Sequence, residues 1–196
     1  MRPRVTALRP ERLGRISVEL DGERWRTVPA DVAATVGLVV GRELDRSALR
    51  DLRRALRRSE ALASATKALR YRDVSAKRLE QRLEAAAVAP AARADALDVL
   101  ARAGLVDDAR FAERRADALA ERGFGNEAIL HDLEHQGVPA ELRGQAVATL
   151  ADEGVRARGI IARRGPGPKT ARYLAAKGFG EDAIEAALDG SVAADT

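Results

Sequence analysis

The chain has 196 residues, a formal net charge of +4, 46% hydrophobic and only 3% aromatic residues, and no cysteine. Such a length holds one or two domains around a moderate core, and the lack of cysteine excludes disulfides and thiol catalysis. Much of the apolar content is alanine, which suits closely packed helices and leaves little material for a deep aromatic ligand pocket.

Taken in order, the chain opens with Met1–Thr6, which has no apolar core of signal-peptide length, and no later segment approaches a membrane span. A soluble, cytoplasmic protein with no membrane contact is the expectation. Ile16–Leu20 and Glu23–Val28 alternate around Asp21-Gly22, the signature of a type I′ hairpin. A two-residue loop pairs Leu20 with Glu23, Val18 with Trp25 and Ile16 with Thr27. Trp25, the single tryptophan, is expected to anchor this hairpin on a following helix. Pro29–Val36 reads as a short helix with proline at its first position and Gly37 at its end.

Asp45 is an N-cap candidate for a helical stretch reaching about Tyr71. Leu49, Leu52, Leu56 and Leu69 form its apolar stripe, and arginines fill the other faces. One helix bent near Ser59 and two helices meeting there both fit this pattern. Ser75 opens the next helix, through Leu79 and Leu83, and Pro90 precedes a third, through Leu97 and Leu100. Gly104 is placed as a left-handed residue after that helix, Asp107 caps the following one, and Asp108 lies in its first turn.

The segment around Gly104 joins two copies of one pattern. The shift that lays Arg72 on Arg122 also lays Leu79 on Ile129, Leu83 on Leu133, Val88 on Val138, Leu100 on Leu150 and Gly104 on Gly154. A third, shorter copy lays Leu133 on Leu174, Gly137 on Gly178 and Val138 on Phe179, with its first helix clipped by Gly165-Pro166-Gly167-Pro168. Internal repetition of this kind makes each copy one supersecondary unit. In the first copy Ala87 stands where the later copies have glycine. Positive φ costs an alanine roughly 1–2 kcal/mol, so another geometry is expected at that helix end. The fold class expected is mainly α: tandem three-helix repeats in an elongated array with a small N-terminal β-hairpin. The division is 1–44, hairpin and short helix; 45–106, basic helix and first repeat; 107–154, second repeat; 155–196, third, shortened repeat and a frayed tail from Ser191.

Charge is unevenly spread. Residues 41–82 hold thirteen basic against six acidic side chains, residues 83–154 have an acidic excess, and residues 155–178 hold seven basic side chains and no acid. Two basic clusters flanking an acidic middle suit a polyanion or an acidic partner. The candidate contact residues are Arg53, Arg54, Arg57, Arg58, Arg70, Arg72 and Arg78 in the first cluster, and Arg163, Arg164, Lys169, Arg172 and Lys177 in the second. A change at Glu127, Asp132 and Glu134 in the acidic middle serves as the comparison. Scarce aromatics argue against a platform for stacking single-stranded bases.

Two near-motifs fall short. His131-Asp132-Leu133-Glu134-His135 spaces two histidines like a metalloprotease helix but lacks the glutamate base and a third histidine or cysteine. Gly165–Thr170 evokes a phosphate loop, yet Pro168 replaces the glycine before the lysine and has no N–H to offer. No metal, no cofactor and no catalytic residue are expected; the protein is not read as an enzyme.

Gly104-Leu105-Val106-Asp107-Asp108-Ala109-Arg110-Phe111-Ala112, the Gly-Phe-Gly of 123–125 with Ile129 and Leu133, and the closing Lys177-Gly178-Phe179 resemble the RecX family. The resemblance runs from about Ile16 to Leu188; no single motif is unique, but the ordered set is specific. One departure is that Ser75 is followed three residues later by Arg78, where the family often has glutamate, which removes a capping box. The resemblance implies a regulator of the RecA recombinase in homologous recombination and DNA repair. Such a protein lodges in the groove of the RecA–single-stranded DNA filament and limits its extension and ATP-driven activities. A monomer is expected. The rival reading is a helical repeat protein that binds single- or double-stranded DNA directly, since arginine-bearing helix-turn-helix-like units can track phosphates.

Overall fold

The computed structural model describes residues 2–70 and 73–192, with side chains through Asp189. Arg72 and the tail after Val192 therefore lie outside the described residues. The chain forms two compact units: Met1–Arg72 with Leu79–Leu105, and Asp73–Arg78 with Val106–Thr196.

In the first unit, β2 (Arg15–Leu20) and β3 (Glu23–Pro29) form the expected hairpin. Asp21 at φ 51° and Gly22 at φ 90° supply the two left-handed residues of a type I′ turn. The expected register holds only beside the turn. Leu20 faces Glu23 and Glu19 faces Arg24, but Val18 then faces Arg26 and Ile16 faces Val28. Trp25 is the extra residue of a β-bulge, which displaces it from the ladder. It is 38% exposed, so the expected packing anchor is not one; Val18 and Val28 fill the core instead.

A third strand, β1 (Val5–Glu11), pairs antiparallel with β2 and makes the hairpin a three-stranded sheet in the order β1-β2-β3. Pro10 argues against a strand in the sequence, yet β1 is an edge strand, where a missing N–H is tolerated. The sheet packs on α1 (Ala30–Thr35) and the start of α2 (Arg46–Leu69) through Val5, Val18, Val28, Val32, Leu44, Leu52 and Leu56. Gly37 at φ 62° ends the α1 turn. Asp45 caps α2 by accepting from the Ala48 amide at 2.8 Å. α2 is one continuous helix, which settles the choice at Ser59.

Three helix triplets follow from α2 onward: α2 with α3 (Ala76–Ala85) and α4 (Pro90–Arg102); α5 (Asp108–Glu121), α6 (Asn126–His135) and α7 (Ala140–Ala148); α8 (Glu153–Arg164), α9 (Pro168–Ala176) and α10 (Glu181–Val192). In each, the first and third helices pack together: α2 on α4, α5 on α7, α8 on α10. Ile129, Leu133 and Val138 fill the core of the middle triplet, and Leu174, Phe179 and Ile184 that of the last. These are positions that the internal repetition equates.

Two expectations fail at the repeat boundaries. Gly154 does not end a helix as Gly104 does at φ 67°; it lies buried inside α8. α7 is shorter than α4, so α8 begins early and Asp152-Glu153, not Gly154, continues the pattern of Asp107-Asp108. Ala87 does adopt the left-handed geometry, at φ 57°, and Val88 donates back to the Leu83 carbonyl as Val138 does to Leu133.

Candidate interaction surfaces

The arginines of α2 occupy a face that the fold keeps in solvent. At about 100° per residue, Arg46, Arg50, Arg53, Arg54, Arg57 and Arg58 fall within an arc of about 140°. Leu49, Leu52 and Leu56 lie on the far side, against the sheet. Further along, the buried side of the helix changes: Ala61 and Ala65 are buried on the arginine side, and Ala61 packs with Ala92 and Ala96 of α4. The row therefore stops where α4 docks. All six arginines are exposed, and among the described residues none makes an ion pair. Like charges a helical turn apart cost a few tenths of a kcal/mol each, so the row stabilises nothing within the helix.

The other members of the first cluster separate. Arg70 is exposed just after α2, whereas Arg78 is half-buried in the second unit, its Nε donating to Gln136 Oε1 at 3.3 Å. That bond lies within the second unit, and Arg78 is not part of a free basic face. Arg72 lies outside the described residues.

In the second unit, Arg163 and Arg172 are exposed, and their Nε atoms donate to carbonyls of their own helices, Gly159 and Pro168. Arg164 and Lys177 meet aromatic rings. The Arg164 guanidinium carbon lies 4.0 Å from the Tyr173 ring centroid, and Lys177 Nζ lies 4.1 Å from that of Phe124 and 5.9 Å from that of Tyr173. Arg122 extends the row, 5.6 Å from the Phe124 centroid. Lys169, Tyr173 and Lys177 follow at four-residue steps along α9, one face of a helix. Arg122, Phe124 and Tyr173 were absent from the sequence-based set; the four-residue spacing of Lys169, Tyr173 and Lys177 was the available signal.

Helix caps within the second unit account for the charges of the Asp107-Asp108 motif. Asp107 caps α5 through the Arg110 amide at 3.0 Å. Asp108 reaches back to the preceding triplet and accepts from the Ala76 amide at 2.8 Å, at the first turn of α3. Glu153, at the same position of α8, accepts from the Asn126 amide at the first turn of α6. Ser75 also caps α3, accepting from the Arg78 amide at 3.2 Å and donating to the Gln136 carbonyl. The start of α3 therefore has a substitute for the missing capping box.

The helix ends meet equally closely. A Cβ on Gly137 would lie 2.5 Å from Lys77 Cβ, and one on Gly178 would lie 2.6 Å from the Ala128 backbone nitrogen. Arg156 secures this region by donating to the Phe124 carbonyl at 2.9 Å and to Asn126, and burial pushes its guanidinium pKa down.

The acidic middle is structural in part. Arg115 grips Asp132 with two hydrogen bonds, at 2.7 and 2.8 Å, and this bonding holds the Asp132 carboxyl below its ordinary range. Glu134 pairs with Arg143 at 2.9 Å, and its pKa is lowered by that hydrogen bond. His131 and His135 are exposed on α6, and among the described residues no group of three or more His, Cys, Asp or Glu side chains could hold a metal ion. The Gly165–Thr170 loop closes on itself: Thr170 is buried and its hydroxyl donates to the Gly165 carbonyl at 2.8 Å. Among the described residues no helix is long and apolar enough to cross a membrane.

No family model matches the chain. It is 35% identical over 133 residues to a protein of Chromohalobacter salexigens named regulatory protein RecX, spanning 63% of this chain and 88% of that one. A protein of the same name from Xanthomonas oryzae pv. oryzae is 36% identical over 126 residues, spanning 59% and 79%. The fold matches a crystal structure of regulatory protein RecX with a TM-score of 0.82 at 19% identity, covering 95% of this chain and 99% of that one. A crystal structure of RecX from Lactobacillus salivarius matches at 0.61 and 18% identity, covering 68% and 96%. With the helix triplets, the N-terminal sheet and these relatives in agreement, the chain belongs to the RecX family of regulatory proteins.

Proposed function

We propose that this protein is a cytoplasmic, monomeric, non-catalytic regulator of RecA that binds the RecA–single-stranded DNA filament. Binding limits filament extension, ATP hydrolysis and strand exchange. Family membership supports the regulatory role, and the observation that carries a binding mode is the unpaired arginine row of α2. Six guanidinium groups without internal partners suit a surface rich in phosphate or carboxylate. Direct contact with DNA phosphates is the second reading, favoured by the same row.

The test is co-sedimentation with RecA filaments, with bare DNA run alongside. Replacing Arg53, Arg54 and Arg57 by glutamine is expected to weaken filament binding by about tenfold or more without loss of helical signal, since surface charge changes alter stability by less than about 0.5 kcal/mol. Replacing Arg163, Arg164 and Lys169 should weaken it as well. The acidic comparison is better made at Glu127, Glu181 and Asp182, because Asp132 and Glu134 are held in ion pairs. RecA inhibition that survives both basic triple replacements overturns the reading.

A further inference from the structure

Among the described residues, three that are not glycine have a left-handed backbone: Leu13 at φ 60°, Asp21 at φ 51° and Ala87 at φ 57°. Asp21 is short and polar, and its carboxylate accepts from the Arg4 amide at 2.9 Å. Leu13 is the bulky one, and it is 97% exposed, against 61% for Val40, the next of the large apolar residues. It stands in the Arg12–Gly14 turn between β1 and β2, where Gly14 follows at φ 66°. Leucine gains neither burial nor a favoured backbone here; asparagine or glycine would suit the turn better. The turn itself is firmly held. Arg15 donates to the Thr27 carbonyl at 3.1 Å and Glu11 meets Arg24 at 2.8 Å, so β3 braces both sides of the loop. Behind it Arg4 pairs with Glu43, Arg9 with Glu19 and Arg24 with Glu11. Arg12 and Arg15, the cations flanking Leu13, make no ion pair among the described residues.

We propose that Leu13 is an apolar anchor that enters a pocket the size of one side chain on a protein partner, with Arg12 meeting a carboxylate at the pocket's mouth. Under the function proposed above, on which this rests for the partner's identity, that partner is RecA. A strained backbone that serves no contact of its own fold points to a role outside it. Burying the leucine in a partner returns the transfer free energy that folding leaves unused. The braced turn presents it in one place, so little freedom is lost on binding. One leucine without apolar neighbours in its turn is too little to hold a bilayer surface. The paired charges behind the turn offer no run of free cations to follow a phosphate backbone, so a folded protein surface is favoured over DNA. Leu13 is thus a contact separate from the α2 arginine row, on the same unit.

The test is co-sedimentation of the full chain with RecA filaments, with bare DNA alongside and urea unfolding of each variant. Leu13→Asn is expected to weaken filament binding about tenfold or more, the effect of losing one buried leucine. Its urea midpoint should equal or exceed that of the unmodified protein, because asparagine accepts the left-handed backbone and no internal contact is lost. Leu13→Met keeps apolar volume and should bind within about threefold of the unmodified protein. Filament binding by Leu13→Asn within about twofold of an unmodified protein that does bind overturns the proposal and leaves the filament reading standing. No filament binding by the unmodified protein overturns that reading, and the anchor with it. A lowered urea midpoint in Leu13→Asn also overturns the proposal, since the leucine would then serve the fold. So does a matching loss of bare-DNA binding, which would make Leu13 a wedge between bases.

Discussion

Ala87, Gly137 and Gly178 occupy one position in three repeats and differ in what surrounds them. All three have positive φ, at 57°, 79° and 78°. Ala87 is exposed, so its only cost is backbone strain. Ala87→Gly should relieve that strain and raise the unfolding free energy by about 1 kcal/mol in urea denaturation. Gly178→Ala should act oppositely and more strongly, lowering it by more than about 2 kcal/mol, because the new Cβ adds a collision with Ala128 to the same strain. Equal and opposite effects would show that backbone strain alone matters there. The glycine is thus required where two helix ends meet, and dispensable where the first repeat has no predecessor.

At the scale of elements, short carboxylate contacts within the second unit cap the starts of other helices. Asp108 leads α5 and yet caps α3, so Asp108→Ala should cost about 1 kcal/mol, the range of a missing helix cap, whereas Asp108→Asn should retain most of it. Urea midpoints of the two variants check this, and equal midpoints would remove the cap. Within the second unit, Arg115 and Asp132 join α5 to α6. The Asp132 pKa is lowered by folding, so its contribution is fully present above the unfolded value near 3.9 and is lost as pH falls through the folded value. The pair is partly exposed, with side chains 39% and 27% accessible, so solvent screening limits it to about 1 kcal/mol. Asp132→Asn should lower the unfolding free energy by that amount at pH 7, and the gap to the unmodified protein should close below about pH 4.

Across the whole molecule, two rows of cations without ion pairs stand out among the described residues. The α2 row lies on the first unit, and the cation-aromatic row on the second. The arginine replacements in α2 should lower the salt dependence of binding if phosphates are the target, by nearly one unit of log–log slope for each phosphate no longer neutralised. A RecA protein surface would instead show weaker binding with little change of slope. Asp132 and Arg78 belong to neither row, because each is held by a neighbouring element.

The helix triplets, the hairpin turn and the caps at Asp45 and Asp107 were legible in the sequence because each is decided by residues within a few positions. Apolar spacing, Asp-Gly and a carboxylate before an apolar run act locally, and the repetition showed the apolar spacing more than once. The basic character of α2 was legible for the same reason. The Trp25 bulge was not, because facing strands set the register through burial of Val18 and Val28. Nor was β1, whose Pro10 is tolerated only because that strand lies at an edge. The capping of α3 by Asp108 and the approach of Lys177 to Phe124 join residues far apart in the chain. Only close packing within the second unit, with glycine at the helix ends, brings those groups within reach of one another.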